Sequence, residues 1–379
     1  MPVTAWSWEQ VTSRRLERSH LLPRAAASDA VDVVRAVCGI QAQVPSAAEL
    51  CVGVRTDGLT RARLRSLINE ERLLTPTFAM RGTATLLPSD ELPLYLAAMR
   101  ELCGDEQRWF TSFGLDAEQA RTLFDAVREI LDRRRLSRQE LVTALREQVG
   151  PWVFEVFDPL LSELAVAAAY AGVLAYGPGL GSRSTFVRAD QWGGVWRDVT
   201  GDAALRELLR RYFATYGPAT PTDLARWLGL RAGRASDLIR LMADELVPAE
   251  VEGRRAWVLA TDAKQPGESG AATVRLLPQY DCYILGSGPI DRVAPLEVKD
   301  LLRRGKRGRY EGAAGLPVLV VGGVVAGLWE RGQGKDGLHI KVEVLRQLTA
   351  DEHGALELEA GRLARFDECS YSLTIEVAG

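Results

Sequence analysis

The sequence contains few of the residues on which many enzyme sites depend. Among its 379 residues are only three histidines (His20, His339 and His353) and five scattered cysteines. No Cys-x-x-Cys pair occurs, and no cysteine lies near a histidine at the spacing of metal ligands. A zinc site, a disulfide framework and a histidine-based serine triad are therefore not expected. We predict neither a metal nor any other cofactor.

Long apolar runs and secretory signals are also missing. No segment approaches the roughly 20 apolar residues that a membrane-spanning helix needs, and the opening MPVTAWSWEQVTSRR has no basic segment followed by an apolar one. Neither a phosphate-binding loop nor a glycine-rich dinucleotide fingerprint is present. We therefore expect a cytoplasmic globular protein without membrane association. Its chemistry would use carboxylates, amides, hydroxyls or backbone groups.

Lysine is scarce, although basic residues are not. Only five of the 47 basic residues are lysines, and all five lie in the last third of the chain. Arginine suits phosphate recognition, but an arginine-rich composition is equally typical of a GC-rich genome. The net charge of -3 does not by itself indicate a nucleic-acid-binding protein. Charge therefore leaves the partner open.

A pattern of two or three amphipathic helices followed by a short apolar hairpin recurs three times. In the first copy, the predicted elements are helices at Trp6–His20, after an N-cap at Ser28, and at Arg61–Glu70, then strands at Leu73–Met80 and Thr83–Leu87.

The predicted elements of the second copy are a helix through Leu123, Val127 and Ile130, a helix opened by a capping box at Ser137–Glu140, an apolar helix at Pro159–Leu174, and a glycine-rich hairpin over 174–188.

The predicted elements of the third copy are helices at Leu205–Tyr216, from Pro221 to the Gly229 stop, and at Arg231–Leu246, then a hairpin over Ala249–Leu259 that turns at Gly253.

This order predicts an α+β fold of three tandem winged helix-turn-helix units, in which a helix can enter a major groove and a hairpin can lie along the backbone. We place the units at 1–115, 116–198 and 199–262. A β-rich C-terminal domain, a sheet or small barrel, would occupy 263–379. Its predicted strands are VRLLP, CYILG, VLVVGGVVAGLWE with a Gly322-Gly323 turn, LHIKVEV and YSLTIEV, with one helix near Asp351–Arg365.

One short segment, GIQAQVPS, presents two amides at close spacing. Gln41 and Gln43 follow the helix that begins after Ser28, and Pro45 disfavours helical geometry at Val44. In an extended segment, residues i and i+2 point to the same side, about 6 to 7 Å apart. The spacing therefore predicts two carboxamides side by side. From the residues alone, a solvated pair of glutamines explains the segment as well as a functional site does.

With this segment and several others, the chain resembles the AlkZ-type winged-helix DNA glycosylases. GIQAQVPS matches the Gln-x-Gln motif of that family, and TFAMRGTATLLP matches its Arg-Gly-Thr hairpin. The similarity continues, in order, through Tyr216–Leu230, Arg275–Gly286 and Val318–Glu330. It therefore runs along nearly the whole chain. One departure is Thr85, where many relatives carry a histidine, and this puts the lesion preference in doubt.

The resemblance implies a monofunctional glycosylase that hydrolyses the N-glycosidic bond of an alkylated purine, with Gln41 and Gln43 as catalytic residues. Bulky cationic adducts such as N7-alkylguanine or N3-alkyladenine would be the substrates. Members of the family also protect producers of DNA-alkylating natural products, so repair or self-resistance is the expected role. The partner would be double-stranded DNA containing alkylated bases, bound by a monomer.

Candidate phosphate contacts come from the Arg-Gly-Thr hairpin, the start of the last helix of the third copy and the basic segment Leu301–Tyr310, which a solvated charge run explains equally well. They are Arg81, Arg231, Arg234, Arg304, Lys306, Arg307 and Arg309. The main alternative function is a transcription regulator, because winged helices often bind operators without doing chemistry. A nonspecific architectural protein would need more positive charge than this chain has.

Overall fold

The computed structural model describes residues 4–104, 115–152, 164–180, 183–265, 273–298, 312–334 and 337–378. Contacts divide the chain into two compact units, Met1–Leu64 with Arg210–Gly379, and Arg65–Leu209. We call these the first and second unit. This division is coarser than the four segments placed from the sequence, which stay predictions.

The helices of the described residues are α1 Trp8–Arg18, α2 Ala30–Ala36, α3 Pro45–Gly53, α4 Arg61–Asn69, α5 Leu92–Cys103, α6 Ala117–Ile130, α7 Arg138–Val149, α8 164–170, α9 Ala189–Trp192, α10 Gly201–Tyr216, α11 Pro221–Leu228, α12 Ala232–Leu241, α13 Cys282–Gly286, α14 Ile290–Val293 and α15 Ala350–Phe366.

The strands are β1 Thr4–Trp6, β2 Ala25–Ala26, β3 Ile40–Gln41, β4 Thr56–Asp57, β5 Leu74–Phe78, β6 Ala84–Pro88, β7 Leu136–Ser137, β8 Ala175–Leu180, β9 Arg183–Val187, β10 Leu246–Val251, β11 Arg254–Leu259, β12 Val274–Leu277, β13 Val318–Val321, β14 Val324–Gly334, β15 Gly337–Val344 and β16 Tyr371–Val377.

Local signals explain where several helices begin and end. Capping boxes open α7 at Ser137 and α11 at Thr220, where Pro221 occupies the first turn. A capped helix start satisfies backbone N–H groups that have no partner inside the helix. The left-handed Gly229 (φ 73°) ends α11, as its sequence position predicted. These boundaries were predictable because each depends on residues within one turn.

The second unit contains two hairpins and the helices around them. Strands β5 and β6 pair antiparallel from Leu74↔Pro88 to Phe78↔Ala84, close to the predicted bounds. Strands β8 and β9 form the glycine-rich hairpin, and β7 pairs with β9. The apolar face of α6, including Leu123 and Val127, packs with α7 and α8 in one core. The predicted helix Pro159–Leu174 is described only over 164–170, because 153–163 lie outside the described residues.

In the first unit, the hairpin β10–β11 gains a third strand that the sequence did not reveal. The short strand β1 pairs parallel with β10, and Trp6 and Val11 fill a core with Val251 and Val258. The N-terminus therefore folds onto a hairpin about 250 residues away. In the same unit, the buried Arg15 of α1 donates hydrogen bonds to the carbonyls of Tyr216, Pro218 and Gly288, at 2.9, 2.7 and 2.6 Å.

The C-terminal strands form one open sheet in the order β12-β13-β14-β15-β16. All neighbouring pairs are antiparallel except β15–β16, which is parallel because α15 connects the two strands. The sequence left a sheet or a barrel open, and the linear order selects the sheet.

Several predicted boundaries or states were wrong, including the following three. Cys282–Gly286 is a helix rather than a strand, since the Asp281 side chain caps it by accepting from the Tyr283 N–H. Ser28 lies inside a short 3-10 turn that precedes α2 and hydrogen-bonds Asp29, so it is not the cap. Helix α12 ends at Leu241 rather than at the predicted Leu246, because Leu246 is already the first residue of strand β10.

The turn between β13 and β14 provides a matched pair of stability variants. Gly322 (φ 57°) and Gly323 (φ 81°) are both left-handed; a Cβ at Gly322 meets nothing, but one at Gly323 would lie 2.2 Å from Thr12 Cγ2. Gly322→Ala should cost about 1 kcal/mol of backbone strain. Gly323→Ala should cost about 3 kcal/mol, because a steric collision adds to the same strain. Urea unfolding measures both, and equal losses would contradict the close approach of Thr12.

Candidate active site

The Gln-x-Gln segment lies in an extended connection between α2 and α3. Helix α2 ends at Ala36, earlier than predicted, and the left-handed Cys38 (φ 61°) and Gly39 (φ 85°) turn the chain away. The Gly39 N–H donates to the Val34 carbonyl at 3.0 Å, which closes the helix end. Strand β3 follows at once. The motif is therefore held between two helix ends.

The two glutamine side chains lie on the same side of this connection. The Gln41 Nε2 donates a hydrogen bond of 2.7 Å to the Gln43 Oε1. Gln43 is exposed, and Gln41 is half-buried. The expectation of two carboxamides side by side is thus confirmed. Val44 is extended (φ -118°, ψ 98°), as predicted, and Pro45 starts α3, a helix that the sequence analysis did not predict.

Two side chains from α10 fix the backbone just before the motif. The Thr215 hydroxyl donates to the Ala36 carbonyl at 2.6 Å, and the Tyr216 hydroxyl donates to the Val37 carbonyl at 2.9 Å. Both carbonyls belong to the end of α2, where no further helical N–H reaches them. Burial raises the pKa of Tyr216 well above its ordinary value, so its hydroxyl stays a donor. The start of the motif is therefore anchored by α10.

A buried ion pair anchors the helix after the motif. Arg55, just beyond α3, binds Asp281 with both terminal nitrogens at 2.7 and 2.8 Å, and neither side chain is exposed. Burial alone would lower the pKa of Arg55, but Asp281 and the nearby thiols outweigh it and raise that pKa. The same Asp281 carboxylate caps α13. One side chain thus connects α3 to the segment after β12.

Cys51, Asp281 and Cys282 also place three possible metal-ligand atoms within 4.8 Å of one another, in a buried cluster. However, Arg55 occupies both carboxylate oxygens. Burial, and then the hydrogen bond with Cys282, raise the pKa of the Cys51 thiol well above its ordinary value. Metal ligation requires the thiolate. The donor set therefore suits a hydrogen-bonded ion pair rather than a metal.

An open pocket of about 510 Å³ lies beside the end of α2 and is lined by Arg18, Arg24, Arg35, Arg211, His20 and Thr215, among others. Sequence reasoning missed it, because its walls come from α1, α2 and α10. Arg24 pairs with Glu359, and Arg35 pairs with Asp32. Burial, followed by the charge of Arg55, lowers the pKa of His20.

The predicted phosphate contacts are spread over several elements. Arg231 is the N-cap residue of α12 and Arg234 lies in its first turn, and both are exposed. Arg81 sits in the turn between β5 and β6 with a left-handed backbone (φ 58°). Arg304, Lys306, Arg307 and Arg309 lie outside the described residues.

The comparisons define the class of protein. A sequence model of the DNA glycosylase AlkZ-like family matches residues 34–366. The chain belongs to this family and is a DNA glycosylase, a hydrolase of N-glycosyl bonds that acts in DNA repair. Among the described residues, no helix is long and apolar enough to cross a membrane.

The chain is similar to two proteins of Streptomyces sahachiroi. It is 35% identical over 342 residues to that organism's interstrand DNA cross-link repair glycosylase, covering 86% of this chain and 88% of the relative. The solved structure of the Streptomyces sahachiroi DNA glycosylase AlkZ matches with a TM-score of 0.80 at 31% identity. That match covers 98% of this chain and 99% of the other.

The buried ion pair gives a direct stability prediction. Asp281→Ala leaves the Arg55 guanidinium buried without its carboxylate, which should cost about 3–5 kcal/mol. As a control, Glu376→Gln breaks the solvent-screened pair with Lys341 (2.9 Å) and should leave the free energy of unfolding almost unchanged. Denaturant unfolding compares the two variants. A loss below 1 kcal/mol for Asp281→Ala would show that the pair does not hold α3.

Proposed function

We propose that this glycosylase releases bulky cationic alkylpurines, N7-alkylguanine or N3-alkyladenine adducts, without a lyase step. Alkylation at these nitrogens makes the base a cationic leaving group, so no strong general acid is needed. What remains is to stabilise the oxocarbenium character of the sugar and to place a water. Two neutral carboxamides can supply both.

The hydrogen bond between Gln41 and Gln43 is the observation that carries this proposal. A carboxamide oxygen accepts two hydrogen bonds, so the Gln43 Oε1 retains a lone pair for the attacking water. Gln41 donates to that oxygen and fixes its direction. We therefore assign water orientation mainly to Gln43. Gln41 positions Gln43 and faces the sugar.

The absence of a lyase step is supported by the placement of lysine in the chain. A Schiff base requires an amine nucleophile. The first lysine in the sequence is Lys264, far along the chain from the motif. The reaction would therefore end with the free base and an abasic site.

DNA binding is proposed through winged-helix units. The helix–helix–hairpin order of α11, α12 and β10–β11 supports this arrangement for the third copy, with Arg231 and Arg234 exposed where α12 begins. Arg81 would contact DNA from the β5–β6 turn. The basic residues Arg304, Lys306, Arg307 and Arg309 remain candidate phosphate contacts from the sequence alone.

The substrate class is supported by a relative whose name specifies interstrand cross-link repair. An interstrand cross-link joins the two strands covalently, so an enzyme acting on it must accept bulk. We propose that this chain likewise acts on large adducts, in general repair or in self-resistance of a producer of an alkylating natural product.

Base release tests the roles of the two glutamines. Gln43→Ala should slow single-turnover release of N7-alkylguanine from duplex DNA about 100-fold, since it removes the group that orients the water. Gln41→Ala should slow it about 10-fold, because one positioning hydrogen bond is lost. The double variant should resemble Gln43→Ala, since the residues act as a unit.

The same assay is run on a methyl adduct and on a bulky intercalating adduct, with DNA affinity measured in parallel. Affinity should change little in the variants. Faster release of the bulky adduct supports the proposed substrate class, and a preference for the methyl adduct contradicts it. Full activity in the double variant would remove both glutamines from the mechanism.

A further inference from the structure

The second unit carries an open pocket of about 440 Å³ whose wall is rich in arginine. We call it the arginine pocket. Its charged and aromatic lining comes from four separate parts of the chain: the segment between α4 and β5, the loop before β7, the residue after β9, and α9. These lining residues are Arg72, Arg133, Arg134, Arg135, Arg188 and Trp192.

Among the described residues, carboxylates neutralise one of these arginines. Arg188 binds Asp190 through two nitrogens at 2.7 and 2.9 Å, and binds Asp132 at 2.9 Å. This raises the pKa of Arg188, first through the Asp190 hydrogen bond. Arg188 with its two acids is therefore a structural element of the pocket wall.

The other four arginines are exposed, and within the part of the chain that the structure describes none of them forms an ion pair. Glu140 is close enough for Arg134 to affect it, but its carboxylate is committed to Ser137, accepting from the backbone N–H at 2.7 Å and the hydroxyl at 2.6 Å. Those hydrogen bonds lower the Glu140 pKa first, and the charges of Arg183 and Arg134 lower it further. The pocket thus concentrates uncompensated positive charge in a chain of net charge -3.

The loop that carries the three consecutive arginines is held in place. The Arg133 N–H donates to the Gln191 Oε1 at 2.9 Å, and the Gln191 Nε2 donates to Asp132 at 2.6 Å. Elsewhere in the lining, the Arg72 guanidinium lies 4.2 Å from the centre of the Trp192 ring. Such contacts reduce the entropy lost when arginines bind an anion. The pocket is therefore preorganised.

We propose that the arginine pocket binds backbone phosphates of the DNA substrate. Guanidinium groups match phosphate oxygens in pairs, and duplex DNA presents one negative charge per about 1.7 Å of its axis. Several adjacent unpaired arginines suit such a series of phosphates. The inference rests on DNA being the substrate and is independent of the roles assigned to Gln41 and Gln43.

The test compares two double variants that remove equal charge from the same unit. R134Q/R135Q changes the pocket, and R121Q/R128Q changes α6, where Arg128 pairs with Asp125. Binding to an undamaged duplex oligonucleotide is measured at several salt concentrations. R134Q/R135Q should weaken binding at least about 10-fold at low salt and reduce the slope of log Kd against log salt by about 2, near 0.9 per lost phosphate contact. R121Q/R128Q should change neither the affinity nor the salt slope by much.

A third variant, R134K/R135K, keeps the charge and should retain most of the salt slope. Thermal unfolding confirms that each variant is folded. Equal weakening by R134Q/R135Q and R121Q/R128Q would show a general charge effect, and unchanged binding by R134Q/R135Q would show solvated arginines or another kind of partner. Either result overturns the proposal.

Base release with enzyme in saturating excess separates this proposal from the proposed function. R134Q/R135Q should then release the alkylated base at the wild-type rate, because only binding is impaired. A wild-type protein that releases no base but shows the predicted salt slopes would refute the proposed substrate and leave the pocket assignment standing. Normal base release by the wild type, with the same salt slope for the wild type and R134Q/R135Q, would support the proposed function and refute the pocket assignment.

Discussion

The buried pair between Arg55 and Asp281 is the interaction on which the candidate site depends. Two charges removed from water are tolerated only when each satisfies the other with good geometry, and here two nitrogens meet two oxygens in a fully buried setting. The pair fixes the end of α3, and the Asp281 carboxylate also caps α13. Since α3 starts directly after the glutamine motif, this ion pair limits where the motif can lie.

The motif itself contributes only polar groups without net charge, and the scaffold supplies their orientation. Gln41 and Gln43 cannot change charge, so their effect depends on where their oxygens point. Thr215 and Tyr216 hold the chain before the motif by binding the last carbonyls of α2. Rigid support on both sides suits a reaction whose leaving group is already activated by its own positive charge. Such a reaction needs placement of a water more than acid–base strength.

Much of the local structure could be predicted, because its causes lie within a few residues. The capping box at Ser137, the Pro221 start of α11 and the Gly322-Gly323 turn all occur where the sequence indicated. The pairing of Gln41 with Gln43 also followed from their spacing. The helix at Cys282–Gly286 was missed because its apolar residues resemble a short strand, and its cap is a buried carboxylate whose other partner is distant in sequence.

The sequence by itself thus determined most of the element types, the two neighbouring glutamines and, through whole-chain similarity, the family. The tertiary structure alone decided what holds the site and where charge gathers. Arg55 and Asp281 are 226 residues apart, and Tyr216 is 179 residues from the carbonyl it binds. The arginine pocket likewise combines Arg72 with the 133–135 loop. Periodicity and caps act over a turn or a strand, whereas these contacts form only when distant segments pack together, so no local pattern could reveal them.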